Sequence, residues 1–255
     1  MRASLFMAAA LASAPLLGSA AWAAQKIPAP IAAAVADSSR PAADTERDAA
    51  RKPAEMLALA GVKPGETVAE LLPGGGYFTR VLSLTVGPKG HVYALSPPPR
   101  PNPSGSAAPP SPIDTLAADA HYGNISALPL SAIMADPPTA PKVDLVWTSD
   151  NYHDLHNQPN ADLTAFNKHV FETLKSGGVY IVIDHAAAAG HGASDTGTLH
   201  RIDVETVKSE VQSVGFKLAG SSEALHNPDD PHSANVRDPS VRGHTDQFAL
   251  KFVKP

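Results

Sequence analysis

A run of three glycines set between a strand and a helix constrains the fold of this chain more than any other feature. Residues 67–72 (TVAELL) have the character of a buried strand, and residues 74–76 are all glycine. Residues 77–86 then have helical spacing, and residues 91–95 (HVYAL) resemble a second strand. A strand, a glycine loop, a helix and a parallel strand form a βαβ unit. Because glycine lets a ligand approach the backbone and the helix amides point at the loop, this unit predicts a nucleotide site.

Strands and helices alternate along the rest of the chain, which predicts an α/β fold with a mostly parallel sheet and helices on both faces. The segments 216–219 and 246–252 are predicted to pair as an antiparallel edge. The other predicted elements are a helix over 44–60 interrupted at Pro53, strands over 143–147 and 179–184, and helices over 161–174 and 204–214. On the first of these helices Arg47, Asp48 and Arg51 share one face, which predicts a solvated or salt-bridged surface.

The first 24 residues have the order of a secretory signal peptide. Arg2 supplies a positive charge, residues 5–17 form a short apolar core, and Ala21-Trp22-Ala23-Ala24 follows as a cleavage site. The apolar core is too short and too interrupted to span a bilayer, and no later segment is apolar for long enough. We therefore predict cleavage after Ala23 or Ala24, an exported protein that is periplasmic or secreted, and no stable membrane insertion once the signal is removed.

Composition limits the remaining organisation of the chain. Residues 25–40 are rich in alanine and proline, which predicts a flexible tether before one domain over 41–255. Residues 97–112 hold eight prolines and predict an extended loop. The net charge of −5 argues against a basic surface for nucleic acid. The absence of cysteine excludes disulfides, thiolate metal sites and cysteine nucleophiles.

Polar side chains are concentrated where the two central predicted strands end. His153 and Asp154 follow one strand, and Asp184 and His185 end the other. Because open α/β sheets bind ligands at the carboxyl ends of their strands, we expect these residues to converge on one rim. We predict that His153 or His185 acts as a general base, oriented by Asp154 or Asp184, since histidine titrates near neutral pH. The alternative is that these groups only hydrogen-bond to one another and to the loops.

The same rim has a rival interpretation as a metal site. His153, His156, Asp184 and His185 supply nitrogen and oxygen ligands that suit zinc or another divalent ion. Their spacing matches no metal signature, so no metal ligand is assigned. No Gly-x-Ser-x-Gly segment is present, so serine hydrolysis lacks its usual marker.

Four segments, in order along the chain, resemble motifs of the class I S-adenosylmethionine-dependent methyltransferases. Residues 70–77 (ELLPGGGY) look like the first motif, and residues 124–129 (NISALP) resemble the loop of the third strand. Residues 143–147 (VDLVW) look like the fourth strand, and residues 174–180 (LKSGGVY) are similar to the turn before the fifth. The pattern spans residues 44–255 and resembles a bacterial group of predicted, exported methyltransferases. The resemblance implies a Rossmann-like three-layer fold.

The resemblance also implies which residues bind S-adenosylmethionine. The acidic residue and the glycines of the first motif would contact its amino-acid end, Asn124 would reach its adenine, and the residues after the fourth strand would face its transferable methyl. Ser96 stands where the family usually has an acidic residue for both ribose hydroxyls, and it offers a single hydroxyl. The cofactor set is Glu70, Gly74, Gly75, Gly76, Ser96, Asn124, Asp150 and Asn151.

A second set is predicted to face the methyl acceptor, namely Tyr152, His200, Arg201 and Arg242. Arg242 could bind a carboxylate or phosphate in bidentate fashion, or pair with Asp238 or Asp246. The Asn-Pro-Pro-Tyr loop of many nucleic-acid and protein methyltransferases is absent, which favours a small-molecule acceptor. The leading hypothesis is therefore S-adenosylmethionine-dependent methyl transfer to a small molecule. The alternatives are a non-catalytic nucleotide or small-molecule binding protein on the same fold, and a metal-dependent hydrolase using the His/Asp rim.

Overall fold

This computed structural model describes residues 26–98, 109–135 and 138–255. The predicted signal peptide and most of the predicted proline-rich loop lie outside the described residues. The helices are α1 (Ala29–Val35), α2 (Ala42–Thr45), α3 (Asp48–Arg51), α4 (Pro53–Ala60), α5 (Tyr77–Val86), α6 (Pro112–Ala117), α7 (Ser131–Met134), α8 (Tyr152–Leu155), α9 (Leu163–Thr173) and α10 (Val204–Ser213). The strands are β1 (Thr67–Leu71), β2 (His91–Ser96), β3 (Ile125–Pro129), β4 (Val143–Ser149), β5 (Leu174–His185), β6 (Lys217–Ser222) and β7 (Gln247–Val253). None of the described helices has the length and apolar character needed to cross a bilayer.

One seven-stranded sheet contains all of these strands, in the order β3-β2-β1-β4-β5-β7-β6. Neighbouring strands from β3 to β5 are parallel, whereas β7 is antiparallel to both β5 and β6. The predicted α/β fold, with a mostly parallel sheet and an antiparallel edge pair, is confirmed. The strand order reverses between β1 and β4, which lie side by side with Leu71 opposite Thr148. Open α/β sheets bind ligands at such a reversal point.

Two helical layers cover the faces of the sheet. In β4, Leu145 and Trp147 are buried in the layer that holds α1, α4 and α5, and Val146 is buried in the layer that holds α9 and α10. This alternation follows from the two-residue period of a strand. With both faces buried, ligands can reach the sheet only at the ends of its strands.

The predicted tether over residues 25–40 differs from the structure. Residues 29–35 form α1, whose Ile31 and Ala34 are 0% and 3% exposed in the layer with α4 and α5. Proline is tolerated in the first turn of a helix, so the prolines of this segment do not prevent it. The alanine-rich composition of this segment, which suggested a linker, therefore belongs to a short helix packed in the core.

The helix predicted from Asp44 to Ala60 is divided into three short helices, α2 to α4. Lys52 has a φ of 46° directly before Pro53, and this left-handed residue separates α3 from α4. Proline disfavours helical backbone in the residue before it, which explains the interruption. Asp44 caps no helix, and its carboxylate instead accepts a hydrogen bond from Arg80 at 3.0 Å.

The last residue of the predicted proline-rich loop begins a helix. Pro112 is the first residue of α6, and Ser111 caps this helix. Asp114 completes a capping box by accepting from the Ser111 amide at 2.9 Å. Proline at a helix start lacks only an amide that would have no helical partner.

Candidate active site

The loop after β1 turns sharply and leaves its middle open. Leu72 and Gly76 have φ values of 52° and 84°, both in the left-handed region. Glycine adopts that region at little cost, whereas Leu72 is strained there. A Cβ at Gly76 would meet Leu116 at 2.8 Å, but one at Gly74 or Gly75 would meet nothing within 4 Å. A ligand can therefore approach the backbone at these two glycines.

This open space belongs to a cavity of about 320 Å³ at the carboxyl edge of β1 and β4, here called the smaller cavity. Glu70, Gly74 and Gly75 line one side of it, and Asp150 and Asn151 line it after β4. Helix α5 begins beside it without a side-chain cap, so its first amides are available to a ligand. The glycine loop thus faces a cavity, as a nucleotide site requires.

Glu70 is a buried carboxyl in the wall of the smaller cavity. The residue is 3% exposed, and its Oε2 has no hydrogen-bond partner among the described residues. Burial raises the pKa of Glu70 to about 8, although the charges of Arg51 and Arg80 oppose the shift. A buried polar atom without a partner is costly. An ammonium group in the cavity would satisfy it.

Asn151 ties the ends of β1 and β4 together. Its side-chain amide donates to the backbone oxygens of Leu72 at 3.1 Å and Ser149 at 2.9 Å, and its Oδ1 accepts from the Thr148 hydroxyl. These bonds hold Leu72 in its left-handed conformation. They also occupy the side chain that the resemblance assigns to the transferable methyl, so the structure gives Asn151 a positioning role.

Arg51 of α3 separates the smaller cavity from a larger one. Its guanidinium donates to Asp150 Oδ2 at 2.6 Å and to Ser149 Oγ at 2.9 Å. It also lies 4.7 Å from the ring centre of Tyr77 and 4.9 Å from that of Phe78. Charge-assisted hydrogen bonds and cation–π contacts of this kind fix a guanidinium in place. Arg51 is salt-bridged, one of the two outcomes expected for this helix face, but its partner Asp150 lies 99 positions away, so its place between the two cavities could not be predicted.

The larger cavity has a volume of about 930 Å³ and opens at the same edge of the sheet. The polar residues that line it, and that the sequence predicted at the rim or facing the acceptor, are His153, Asp154, His185, His200 and Arg242. The predicted convergence of strand-end residues is therefore observed for His153, Asp154 and His185, whereas Asp184 is buried behind His153. Arg47, Thr245 and Gln247 also line this cavity and were not predicted as site residues.

His153 and Asp184 form a buried pair, of which His153 lines the larger cavity and Asp184 lies behind it. Asp184 Oδ1 lies 2.7 Å from His153 Nδ1, and Oδ2 accepts the backbone amide of His153 at 2.7 Å. Because the carboxylate holds the Nδ1 proton, Nε2 is the nitrogen left for a ligand. Burial alone would lower the pKa of His153, but the hydrogen bond and charge of Asp184 raise it above its usual value. Of the predicted base and orienting residues, the structure pairs His153 with Asp184.

His185 is the weaker candidate for a base. Its Nδ1 lies 2.9 Å from Thr245 Oγ1 and 3.1 Å from Gln247 Nε2. An amide nitrogen can only donate, so Nδ1 accepts and the proton of the neutral ring stays on Nε2. Burial lowers the pKa of His185, which favours this neutral form. In that tautomer neither ring nitrogen is free to take a proton.

Two residues predicted to face the acceptor are buried elsewhere. The Tyr152 hydroxyl donates to Glu210 at 2.9 Å and accepts from Asn167 at 2.8 Å. Arg201 is 0% exposed and binds both carboxylate oxygens of Asp230, at 2.7 and 3.0 Å. The substrate roles predicted for Tyr152 and Arg201 are therefore wrong, because their polar groups are satisfied inside the fold.

The role predicted for Asn124 is also wrong. Asn124 precedes β3, at the amino edge of the sheet, and its amide donates to the backbone oxygens of Ser83 at 3.0 Å and Gly87 at 2.8 Å. It lies at the opposite edge from both cavities and cannot reach a nucleotide at the glycine loop. Ser96 does end β2 at the carboxyl edge, but it is not part of the wall of either cavity.

Arg242 is exposed and lines the larger cavity. The carboxylates that were alternative partners for it are engaged by other groups. Asp246 lies 2.9 Å from His226 and 3.0 Å from His232, and Asp238 accepts from the Ser240 hydroxyl at 2.7 Å. The guanidinium is thus available to a ligand in the cavity.

No protein-family model matches this sequence, and no curated protein matches it. Solved structures resemble its fold. A SAM-dependent methyltransferase from Aquifex aeolicus has a TM-score of 0.56 and 16% identity over 82% of this chain and 93% of that chain. An arsenic(III) S-adenosylmethionine methyltransferase from Chlamydomonas reinhardtii has a TM-score of 0.54 and 16% identity over 89% and 73% of the two chains. The cyclase SpnF has a TM-score of 0.55 and 15% identity over 84% and 81%.

At such low identities these likenesses establish the fold and not the reaction, and the presence of a cyclase among them illustrates the difference. The strand order, the antiparallel β7 and the glycine loop at the reversal point agree with the same fold. This chain therefore has the Rossmann-like fold of the class I S-adenosylmethionine-dependent methyltransferases.

Proposed function

We propose that this protein binds S-adenosylmethionine in the smaller cavity and transfers its methyl group to a small molecule in the larger cavity. The observation that carries the proposal is that the two cavities adjoin at the Arg51–Asp150 pair, beside the reversal point of the sheet. Transfer between two bound molecules requires adjacent sites that align the reacting atoms. Two adjoining cavities on this fold supply that arrangement.

The smaller cavity fits the cofactor in two respects. The free Oε2 of Glu70 matches the ammonium group of an amino-acid end, and the open backbone at Gly74 and Gly75 allows close approach. When bound, S-adenosylmethionine supplies a methyl group on a positively charged sulfonium. Glu70 would ionise as it accepts the ammonium group, because a nearby cation favours the charged carboxylate.

The larger cavity supplies charge recognition and a proton acceptor. Arg242 lines it and forms no ion pair among the described residues, which favours an acceptor molecule that carries a carboxylate or phosphate. A hydroxyl or amine must lose a proton when it is methylated, and His153 Nε2 is the available base, with Asp184 holding the ring. We therefore infer that the acceptor is an anionic small molecule with a hydroxyl or amine.

We further infer that this reaction takes place outside the cytoplasm. The support is the order of Arg2, the apolar core over residues 5–17 and the small residues around Ala23. S-adenosylmethionine is made in the cytoplasm, so an exported enzyme of this kind depends on a supply of cofactor across the membrane.

Calorimetry of the mature chain with S-adenosylmethionine and S-adenosylhomocysteine tests the cofactor site. Gly75→Val adds a side chain to the open part of the smaller cavity, at a position without positive φ where a Cβ meets nothing. We expect both ligands to bind the wild type and to bind Gly75→Val about tenfold more weakly or worse, a loss of at least about 1.4 kcal/mol.

Gly123→Val is the matched control. Gly123 is exposed, has a φ of −62° and lies outside both cavities, so this variant should bind like the wild type. A wild type that binds neither ligand, or a Gly75→Val variant with unchanged affinity, would contradict the proposed site.

A further inference from the structure

Three donor atoms meet in the wall of the larger cavity. His153 Nε2 lies 3.3 Å from His200 Nδ1 and 3.4 Å from Asp154 Oδ1, and the last two atoms lie 3.5 Å apart. His153 and Asp154 belong to α8, whereas His200 belongs to the segment between β5 and α10. The sheet therefore brings together donors that are 46 and 47 positions apart in the chain.

These spacings are longer than those of good hydrogen bonds to nitrogen, which measure about 2.7–3.2 Å. Ligand atoms held at about 2.0–2.2 Å from a tetrahedral ion are separated by about 3.3–3.5 Å. The three donor atoms are therefore spaced like three ligands around one metal ion. They lie farther apart than they would if hydrogen bonds among them held the cluster together.

We propose that His153, Asp154 and His200 bind one divalent transition-metal ion, with zinc as the best match. Two imidazole nitrogens and one carboxylate oxygen are a ligand set that zinc and neighbouring metals accept while keeping a coordination position open. That open position faces the larger cavity, because all three residues line it. An anionic molecule in the cavity could complete the coordination.

The surroundings of His153 support its role as a ligand. Histidines that bind metals usually give their other ring proton to a carboxylate, which fixes the ring and makes the ligand nitrogen more basic. Asp184 is 0% exposed and lies 2.7 Å from His153 Nδ1, on the side away from the donor triangle. This carboxylate–histidine pair leaves the Nε2 lone pair for the ion.

The backbone conformation of His200 is imposed by its neighbours, because the residue itself does not favour it. Its φ of 56° is unfavourable for a residue other than glycine. The next residue, Arg201, is anchored by the buried carboxylate of Asp230 and by the backbone oxygens of Ala186 and Ala234. Strained residues kept in position by rigid surroundings recur at ligand sites. Arg201 thus acts as a positioning residue for His200.

This set of donors differs from the metal site considered from the sequence. His156 lies 3.3 Å from Glu210, and both oxygens of Asp184 are bound to His153, so those residues do not assemble around an ion. An ion at the new position would use the Nε2 lone pair that the proposed base needs. In the metal-loaded protein the ion would lower the pKa of a bound hydroxyl, whose proton would be released to solvent instead of passing to His153. This role rests on the proposed function, whereas the metal site itself does not.

The test is calorimetric titration of the chelator-treated mature chain with Zn²⁺ alone, with the visible absorption of Co²⁺ as a second readout of coordination. We expect one ion per chain. Asp154→Asn should weaken Zn²⁺ binding about tenfold or more, and the same is expected of His200→Ala. The Asp154 side chain is 42% exposed, so Asp154→Asn should leave the fold intact.

His156→Ala is the matched control, because His156 directly follows α8 but contacts Glu210. It should bind Zn²⁺ within about twofold of the wild type, as should Gly75→Val, since neither changes a donor. A wild type that binds no ion would overturn the proposal, and so would unchanged affinity in both Asp154→Asn and His200→Ala. None of these measurements uses S-adenosylmethionine, so the metal site and the methyl transfer can fail separately.

Discussion

Glu70 connects the stability of the fold to the proposed ligand. Burial raises its pKa to about 8 from its ordinary value of 4.5. Between these two pH values the folded chain keeps a proton that the unfolded chain releases. The unfolded state therefore binds fewer protons, and the contribution of Glu70 to stability falls as pH rises through this window. The effect is the reverse of that of a salt-bridged carboxylate.

Glu70→Gln removes the ionisable group and keeps its shape. We expect the variant to gain stability relative to the wild type as pH rises from about 5 to about 8, and then to keep a constant advantage. The gain across this range is on the order of 4 kcal/mol, since each pKa unit is worth about 1.4 kcal/mol. Urea unfolding at several pH values across this window measures the difference.

Glu223→Gln is the control, because Glu223 is exposed and outside both the smaller and the larger cavity. Its stability relative to the wild type should not change with pH. If Glu70→Gln also showed no pH-dependent advantage, Glu70 would not be a buried neutral acid, and the fit to an ammonium group would lose its basis.

The type of chemistry at the site could be predicted from individual residues, but their placement could not. His153 and Asp184 were predicted because residues that end parallel strands share one edge of the sheet. Arg51, predicted on a solvated or salt-bridged surface, pairs with Asp150 between the two cavities. Arg201, predicted to face the acceptor, is buried on Asp230. A guanidinium can bind a ligand or a buried carboxylate equally well, and only the tertiary contacts decide between them.

The helices and strands that the sequence predicted are the ones with strong local signals. Helices α9 and α10 begin where Asp162 and Asp203 cap them, and β1, α5 and β2 follow the apolar pattern of residues 67–95. Helix α1 was missed because it has no side-chain cap and no charged residue in its first or last turn. What stabilises α1 is burial against α4 and α5, and a pattern within its own residues does not reveal that contact.

Ile31→Ala tests whether α1 belongs to the folded domain. Ile31 is 0% exposed in the core layer with α4 and α5. Truncating a buried isoleucine removes apolar contacts and leaves a cavity, so we expect a loss of about 2–5 kcal/mol in the free energy of unfolding. Urea unfolding of the mature chain measures it.

Ala33→Ser, on the exposed side of the same helix, should change the free energy of unfolding by less than about 0.5 kcal/mol. The same small change in Ile31→Ala would mean that residues 25–40 are the flexible tether predicted from the sequence.

The two adjoining cavities exist because the strand order places β1 beside β4. This arrangement puts the glycine loop next to Asp150, and it lets α3 place Arg51 across the boundary between the two cavities. The alternation of strands and helices predicted the sheet and its ligand-binding edge. It could not predict two cavities, because their shared wall comes from N-terminal helices that pack over this edge.

The predicted removal of a signal peptide is compatible with this packing. Cleavage after Ala23 or Ala24 leaves α1 complete, and α1 must stay because Ile31 is part of the core. We expect the chain, when expressed in full in a Gram-negative bacterium, to be recovered from the periplasm or the medium with Ala24 or Gln25 at its N-terminus, as determined by N-terminal sequencing.

Small residues are required at the cleavage site, so replacing both Ala23 and Ala24 with leucine should block processing, whereas Ala8→Leu in the apolar core should not. Recovery of uncleaved chain from the cytoplasm would contradict export, and it would also remove the need for a cofactor supply across the membrane.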